Sequence, residues 1–137
     1  MSTLAPEVRA LLESARVGAL ATIDEGGRPR QSIVYFALDH DRLLISTQAN
    51  RRKAKDIERV DWASLCVHGE RAPYPSATLS GCARIETHDI GAGTARVMQR
   101  IAGSDEPPEP QSDEALAAIG RVLLTIDVER VGPVSYL

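Results

Sequence analysis

Apolar residues alternate with polar ones in short runs along much of this chain, and turn-forming clusters interrupt the runs, a pattern that predicts strands. Val17, Ala19, Ala21 and Ile23 mark the first strand, and Asp24-Glu25-Gly26-Gly27 supplies a turn into a hairpin. The returning strand, Arg30 to Leu38, is apolar on both faces: Ile33, Tyr35 and Ala37 on one, Val34, Phe36 and Leu38 on the other. Such a strand must be covered twice. His40-Asp41 turns the chain into Leu43-Leu44-Ile45-Ser46-Thr47, so three antiparallel strands are expected in succession, as a meander. Two further strands are predicted at Ala63, Leu65, Val67 and at Ala77, Leu79, Gly81, Ala83, Ile85. Between them Arg71-Ala72-Pro73-Tyr74-Pro75 cannot continue a ladder. Val122, Leu124, Ile126 and Val128 then close the sheet.

Between strands the period becomes helical. Val8, Leu11 and Leu12 predict a helix over Pro6 to Ser14 with Thr3 available as its cap. Ala54, Ile57 and Val60 predict a second helix from Arg51 to Val60 with Asn50 as N-cap. Residues Gly91 to Ile101 form a third, Ser104 to Ser112 an acidic, proline-rich exposed loop, and Asp113 to Ile119 a helical turn or two. Six strands pairing mainly with sequence neighbours, with short helices outside, give a mainly β fold: a six-stranded antiparallel barrel. Gly26-Gly27 lies in a hairpin, not at a strand-to-helix junction, so it is no dinucleotide-binding fingerprint.

A length of 137 residues predicts a single domain spanning 1–137. With 43% hydrophobic and 26% charged residues the chain is neither disordered nor membrane-like, and a net charge of -3 gives no reason to expect a nucleic-acid partner. Glu7, Arg9, Glu13 and Arg16 interrupt the opening stretch, which therefore does not read as a signal peptide, and no long uncharged apolar run predicts a membrane span. A cytoplasmic protein is expected. Cys66 and Cys82 read as buried, inert thiols, and Trp62 as a packing anchor beside the second helix. His40, His68 and His88 lack metal-ligand spacing, and Ser32, Ser64, Ser76 and Ser80 lack a nucleophile elbow, so no metal site is expected and catalytic residues stay unassigned.

The richest stretch is Ser46-Thr47-Gln48-Ala49-Asn50-Arg51-Arg52-Lys53-Ala54-Lys55, where a strand ends in hydroxyls and a helix begins with three cations. Lysine occurs only at positions 53 and 55. Cations at a helix N-terminus oppose the macrodipole, by about 0.3–1 kcal/mol each, whereas a phosphate there would gather the dipole, free N–H groups and side chains together. Arg51/Lys55 and Lys55/Arg59 are like-charged i,i+4 pairs, and only Arg52/Asp56 is a favourable one. The plain alternative is a solvated basic face. In the proline loop, Arg71 and Tyr74 could reach a cofactor tail or a substrate, or could simply be a loop arginine in water and a tyrosine packed on prolines.

The ordered set Gly18-Ala19-Leu20-Ala21-Thr22, Gly27-Arg28-Pro29-Arg30-Gln31-Ser32, Val34-Tyr35-Phe36, Leu43-Leu44-Ile45-Ser46-Thr47, Arg51-Arg52-Lys53 and Ala63-Ser64-Leu65 resembles the pyridoxamine 5'-phosphate oxidase-like split β-barrels, in particular their actinobacterial F420-dependent branch. The resemblance implies a split barrel working as a homodimer with cofactor sites at the subunit interface. Ser46, Thr47, Arg51, Arg52 and Lys53 would then hold the cofactor phosphate, and Gln31, Ser32, Ile33 and Val34 would lie along the ring. Ile33 stands where family members often carry proline. The implied activity is F420-dependent hydride transfer to a small organic substrate. The alternatives are an FMN-dependent oxidase or reductase, pyridoxamine-phosphate oxidation included, and a carrier of flavin, deazaflavin or haem without turnover.

Overall fold

The computed structural model describes residues 4–137. Its elements run α1 (Pro6–Ser14), β1 (Val17–Ile23), β2 (Pro29–Tyr35), β3 (Ala37–Asp39), β4 (Arg42–Gln48), α2 (Arg52–Arg59), β5 (Trp62–His68), β6 (Ser76–Glu86), α3 (Gly91–Ala102), α4 (Asp113–Ala118) and β7 (Arg121–Val131). Helix α1 starts with proline at its first position and Ala5 as N-cap, while the Thr3 cap lies outside the described residues.

The architecture is mainly β, as expected, with seven strands in place of six. The run from Arg30 to Leu38 is not one strand: it breaks at fully buried Phe36 into β2 and β3. The reason is topological. The sheet order is β2-β1-β5-β6-β7-β4-β3, antiparallel throughout, so β2 and β3 sit at opposite ends of the order although one residue separates them in the chain. Only a sheet curled until its two edges meet satisfies both facts, and the Phe36 junction carries the chain from one edge to the other. Instead of a meander, the hairpin β1–β2 (Leu20↔Ser32, Thr22↔Arg30) and the hairpin β3–β4 (Ala37↔Leu44) therefore belong to opposite edges.

Inside the curl, Leu20, Val34, Phe36, Leu43, Ile45, Leu65, Leu79, Leu124 and Ile126 form one core, joined by Val8, Leu11 and Leu12 of α1 and Ile57 of α2. A second cluster, Ala37, Leu44, Ile90, Val97, Leu116 and Leu123, sits where α3 and α4 cover the other face of β4 and β7. Strand β4 is thus buried on both sides, which its unbroken Leu43-Leu44-Ile45 run reflects. Gly81 marks the β6 bulge: a Cβ there would lie 1.8 Å from the Asp127 carbonyl oxygen, so only glycine admits this approach.

The outward-facing side chains of β1, β2 and β5 are half-buried or exposed, and this corrects the expectation of buried thiols. Cys66 points outward and is exposed, Cys82 is half-buried, and Trp62 is 38% exposed at the start of β5. All three occupy the outward register of strands whose inward register, Ala63, Leu65, Val67 and Ala77, Leu79, Ala83, fills the barrel. The second helix also starts later than expected. Arg51 is its N-cap residue, without a side-chain cap bond, and Asn50 is not the cap.

Candidate functional site

Strand β4 runs out of the barrel at Ser46-Thr47-Gln48, and α2 begins four residues later. Beside them lies the edge strand β2. Between these elements runs a groove in two parts. One, of 380 Å³, has an apolar wall: Ile33, Val34 and Tyr35 of β2 and Val97 and Ile101 of α3, facing Ser46 and Thr47. The other, of 620 Å³, is lined only by polar and charged residues: Arg30 and Ser32 of β2, then Gln48, Asn50, Arg51, Arg52 and Lys53. Gln48, Arg51 and Lys53 line both parts and join them.

The sequence-predicted residues Ser32, Ile33, Val34, Ser46, Thr47, Arg51, Arg52 and Lys53 meet in this groove. Gln31 faces outward on β2 and lines neither part. Arg71 lines a different cavity, with the proline loop, Ala15 and Tyr136, and Tyr74 lies exposed in the same loop. Within one chain neither joins the groove.

Charge is distributed unevenly here. Among the described residues, Arg51, Arg52 and Lys53 have no carboxylate within ion-pair distance. At the start of α2 the Ala54 N–H donates to the Arg51 carbonyl and the Arg51 N–H to the Gln48 carbonyl, both at 3.1 Å, which leaves the amides of Arg52 and Lys53 without a backbone acceptor among the described residues. Burial pushes the Lys53 ammonium below the ordinary lysine range, and the neighbouring Arg51 adds to the shift. The expected Arg52–Asp56 pair does not form. Asp56 turns inward, only 1% exposed, and its Oδ2 accepts from Arg30 Nε and Thr22 Oγ1, both at 2.8 Å, while Oδ1 accepts from Arg59 Nη2 at 3.3 Å. Burial alone would raise the Asp56 carboxyl, but the bonds from Arg30, Thr22 and Arg59 outweigh it and hold the group below the ordinary carboxylate range.

Three polar residues of the site, Arg30, Gln48 and Arg121, were not among its sequence-predicted members. Arg30 reaches the groove only because β2 pairs with β1 and Asp56 holds its guanidinium. Gln48 and Arg121 meet because β4 pairs with β7: with its side-chain amide turned so that nitrogen and oxygen each face a complementary group, Gln48 donates to the Ile119 carbonyl at 2.8 Å and accepts from Arg121 at 3.3 Å, while Arg121 also donates to Ser46 Oγ at 3.5 Å. Such contacts cross 70 residues or more and no local pattern announces them.

A scan against family models matches residues 4–135 to the family described as pyridoxamine 5'-phosphate oxidase. The chain belongs to this family. Among solved structures, one described as an F420 reductase is 24% identical, with 94% of this chain and 98% of that chain covered, at a TM-score of 0.75. A haem-binding protein from Mycobacterium smegmatis is 20% identical over 94% of this chain and 55% of that chain, at 0.73. A haem storage protein from Vibrio cholerae is 17% identical over 99% and 97%, at 0.69. At these identities the likeness is one of fold. The pyridoxamine 5'-phosphate oxidase fold thus serves proteins described by different cofactors, and the residues of the groove must separate them. Among the described residues no cluster of His, Cys, Asp and Glu could hold a metal ion, and no helix is long and apolar enough to cross a membrane.

The groove's donor set fits a phosphate-bearing ring cofactor. Guanidinium, ammonium and hydroxyl groups gather in one part, and an apolar strand edge about as long as a fused ring lines the other.

Proposed function

We propose that this chain is an F420-dependent oxidoreductase acting on a small organic substrate. The observation that carries the reading is the division of the groove, because the wholly polar part is larger than the part with an apolar wall and holds more cationic charge than one phosphate monoester neutralises. FMN has a single terminal phosphate and would leave much of that charge unmatched, whereas a deazaflavin with a longer anionic tail would use it. FMN-dependent oxidation or reduction is the alternative within the same groove.

In this reading Arg51, Arg52, Lys53 and Arg30 bind the anionic tail, and Ser46 and Thr47 donate their hydroxyls where the two parts meet. Ile33, Val34 and Tyr35 present an apolar strand edge along which the ring lies, with Val97 and Ile101 on the facing wall. The bound cofactor supplies the hydride chemistry, and the chain orients it.

A homodimer belongs to the same proposal. Ile33 is 72% exposed and Tyr35 42%, and with Val17, Ala19, Ala21, Ser64 and Cys66 they make an uncharged outer sheet face. A second copy covering this face would give β2 the second cover its sequence calls for and complete the groove with its own loops. Turnover is tested by loading the protein with reduced F420 under anaerobic conditions and adding a panel of small electron acceptors. Reoxidation faster than free F420 supports the enzyme, and binding with no acceleration by any acceptor would leave a carrier.

A further inference from the structure

The guanidinium of Arg30 meets two carboxylates in very different surroundings. Asp56 is buried, fixed by three donors from β1, β2 and α2, and cannot swing away without stranding the buried Thr22 hydroxyl. Glu25 stands in the β1–β2 turn with its side chain 77% exposed, and among the described residues its one ion pair is with Arg30 Nη2 at 3.2 Å. An exposed pair of this kind is weak and screened by salt, and a side-chain rotation releases it.

Accepting the anion-binding role proposed above, we infer that these carboxylates have separate functions: Asp56 is a positioning residue that fixes Arg30 at the polar part of the groove, and Glu25 is an exchangeable counter-ion that an incoming phosphate displaces. Arg30 gives its Nε hydrogen to Asp56, so its orientation is set, and its terminal nitrogens remain for groups in the groove. A phosphate offers them stronger, forked bonds than a solvated carboxylate does. The anion is then gripped from two elements at once, by Arg30 from β2 and by Arg51 to Lys53 from α2, and Asp56 sits on α2 while holding β2. Glu25 makes an internal competitor, and its removal acts in the opposite direction to removal of Asp56.

The test is calorimetric titration of the full chain with F420, FMN and inorganic pyrophosphate at low and high salt, comparing wild type with Glu25→Gln, Asp56→Asn and Ile57→Val. Glu25→Gln tightens binding about two- to fivefold at low salt, and the gain fades at high salt. Asp56→Asn weakens it about tenfold. Ile57→Val, which loosens the same helix from the core, lowers thermal stability and leaves affinity unchanged, so an affinity loss confined to Asp56→Asn reports positioning. Unchanged or weaker binding in Glu25→Gln overturns the inference, as does an Asp56→Asn affinity equal to wild type. If Asp56→Asn does not fold, the sign of the Glu25→Gln effect decides. Wild type binding none of the three probes overturns the cofactor reading itself, a result distinct from wild-type binding that neither substitution moves.

Discussion

Two adjacent turns of α2 treat charge in opposite ways. The first, Arg51 to Lys53, gathers three cations against the helix dipole with no carboxylate at ion-pair distance among the described residues, whereas the second buries Asp56 among Arg30, Thr22 and Arg59. Where the chain needs charge for its own architecture, it matches every group across sheet and helix. Where it leaves like charges side by side and one of them partly desolvated, folding gains nothing from them, and in the function proposed above they serve a ligand. The fold holds the two turns within one helix, so the buried cluster sets the position of the proposed anion-binding one.

The sharpest way to break this contrast is to remove Asp56. Asp56→Ala should lower stability by about 2–4 kcal/mol, somewhat under the cost of breaking a wholly buried ion pair because Arg30 and Arg59 keep partial access to water. Urea denaturation measures it. The pH dependence has a fixed sign: the folded carboxyl lies below its ordinary value of 3.8, so its stabilisation is complete above that value and is lost as the pH falls through the folded one. The stability gap between wild type and Asp56→Asn should therefore narrow in acid.

The first turn should answer in the opposite way. Arg51→Ala and Lys53→Ala should each weaken cofactor binding by about 1–3 kcal/mol while leaving the unliganded chain as stable as wild type or slightly more so. Equal losses of stability and affinity would erase the distinction between the turns. A smaller effect follows from the lowered Lys53 value. Affinity should decline in the alkaline range, below the ordinary lysine value of 10.5, as the ammonium deprotonates, and Lys53→Arg should flatten that decline. Titration at successive pH values checks both. Smallest of all, Lys55→Ala should change affinity by less than about 0.5 kcal/mol, since Lys55 is exposed and lines neither part of the groove.

The same contrast explains what was legible in the sequence. The strand and helix positions follow from local period, and the cations of the first turn stand out because they are consecutive and oppose the dipole. The second turn was misread because its partners are distant: Asp56 looked like the i,i+4 partner of Arg52, and only the pairing of β1 with β2 brings Thr22 and Arg30 to it. The break at Phe36 was invisible for a related reason. A run apolar on both faces reads as one doubly covered strand, and nothing local says that its halves lie on opposite edges of a curled sheet. Cys66 was expected inside on residue type alone, and strand register places it outside.

The most direct measurement is a fluorescence titration of purified protein, wild type and Arg51→Ala/Lys53→Ala, with F420 and separately with FMN at moderate salt. Micromolar or tighter F420 binding, weaker FMN binding, and loss of both in the double variant at unchanged thermal stability are the predicted results. Wild type binding neither cofactor, or a double variant binding as tightly as wild type, would contradict the assignment of the unpaired turn to a phosphate-bearing cofactor.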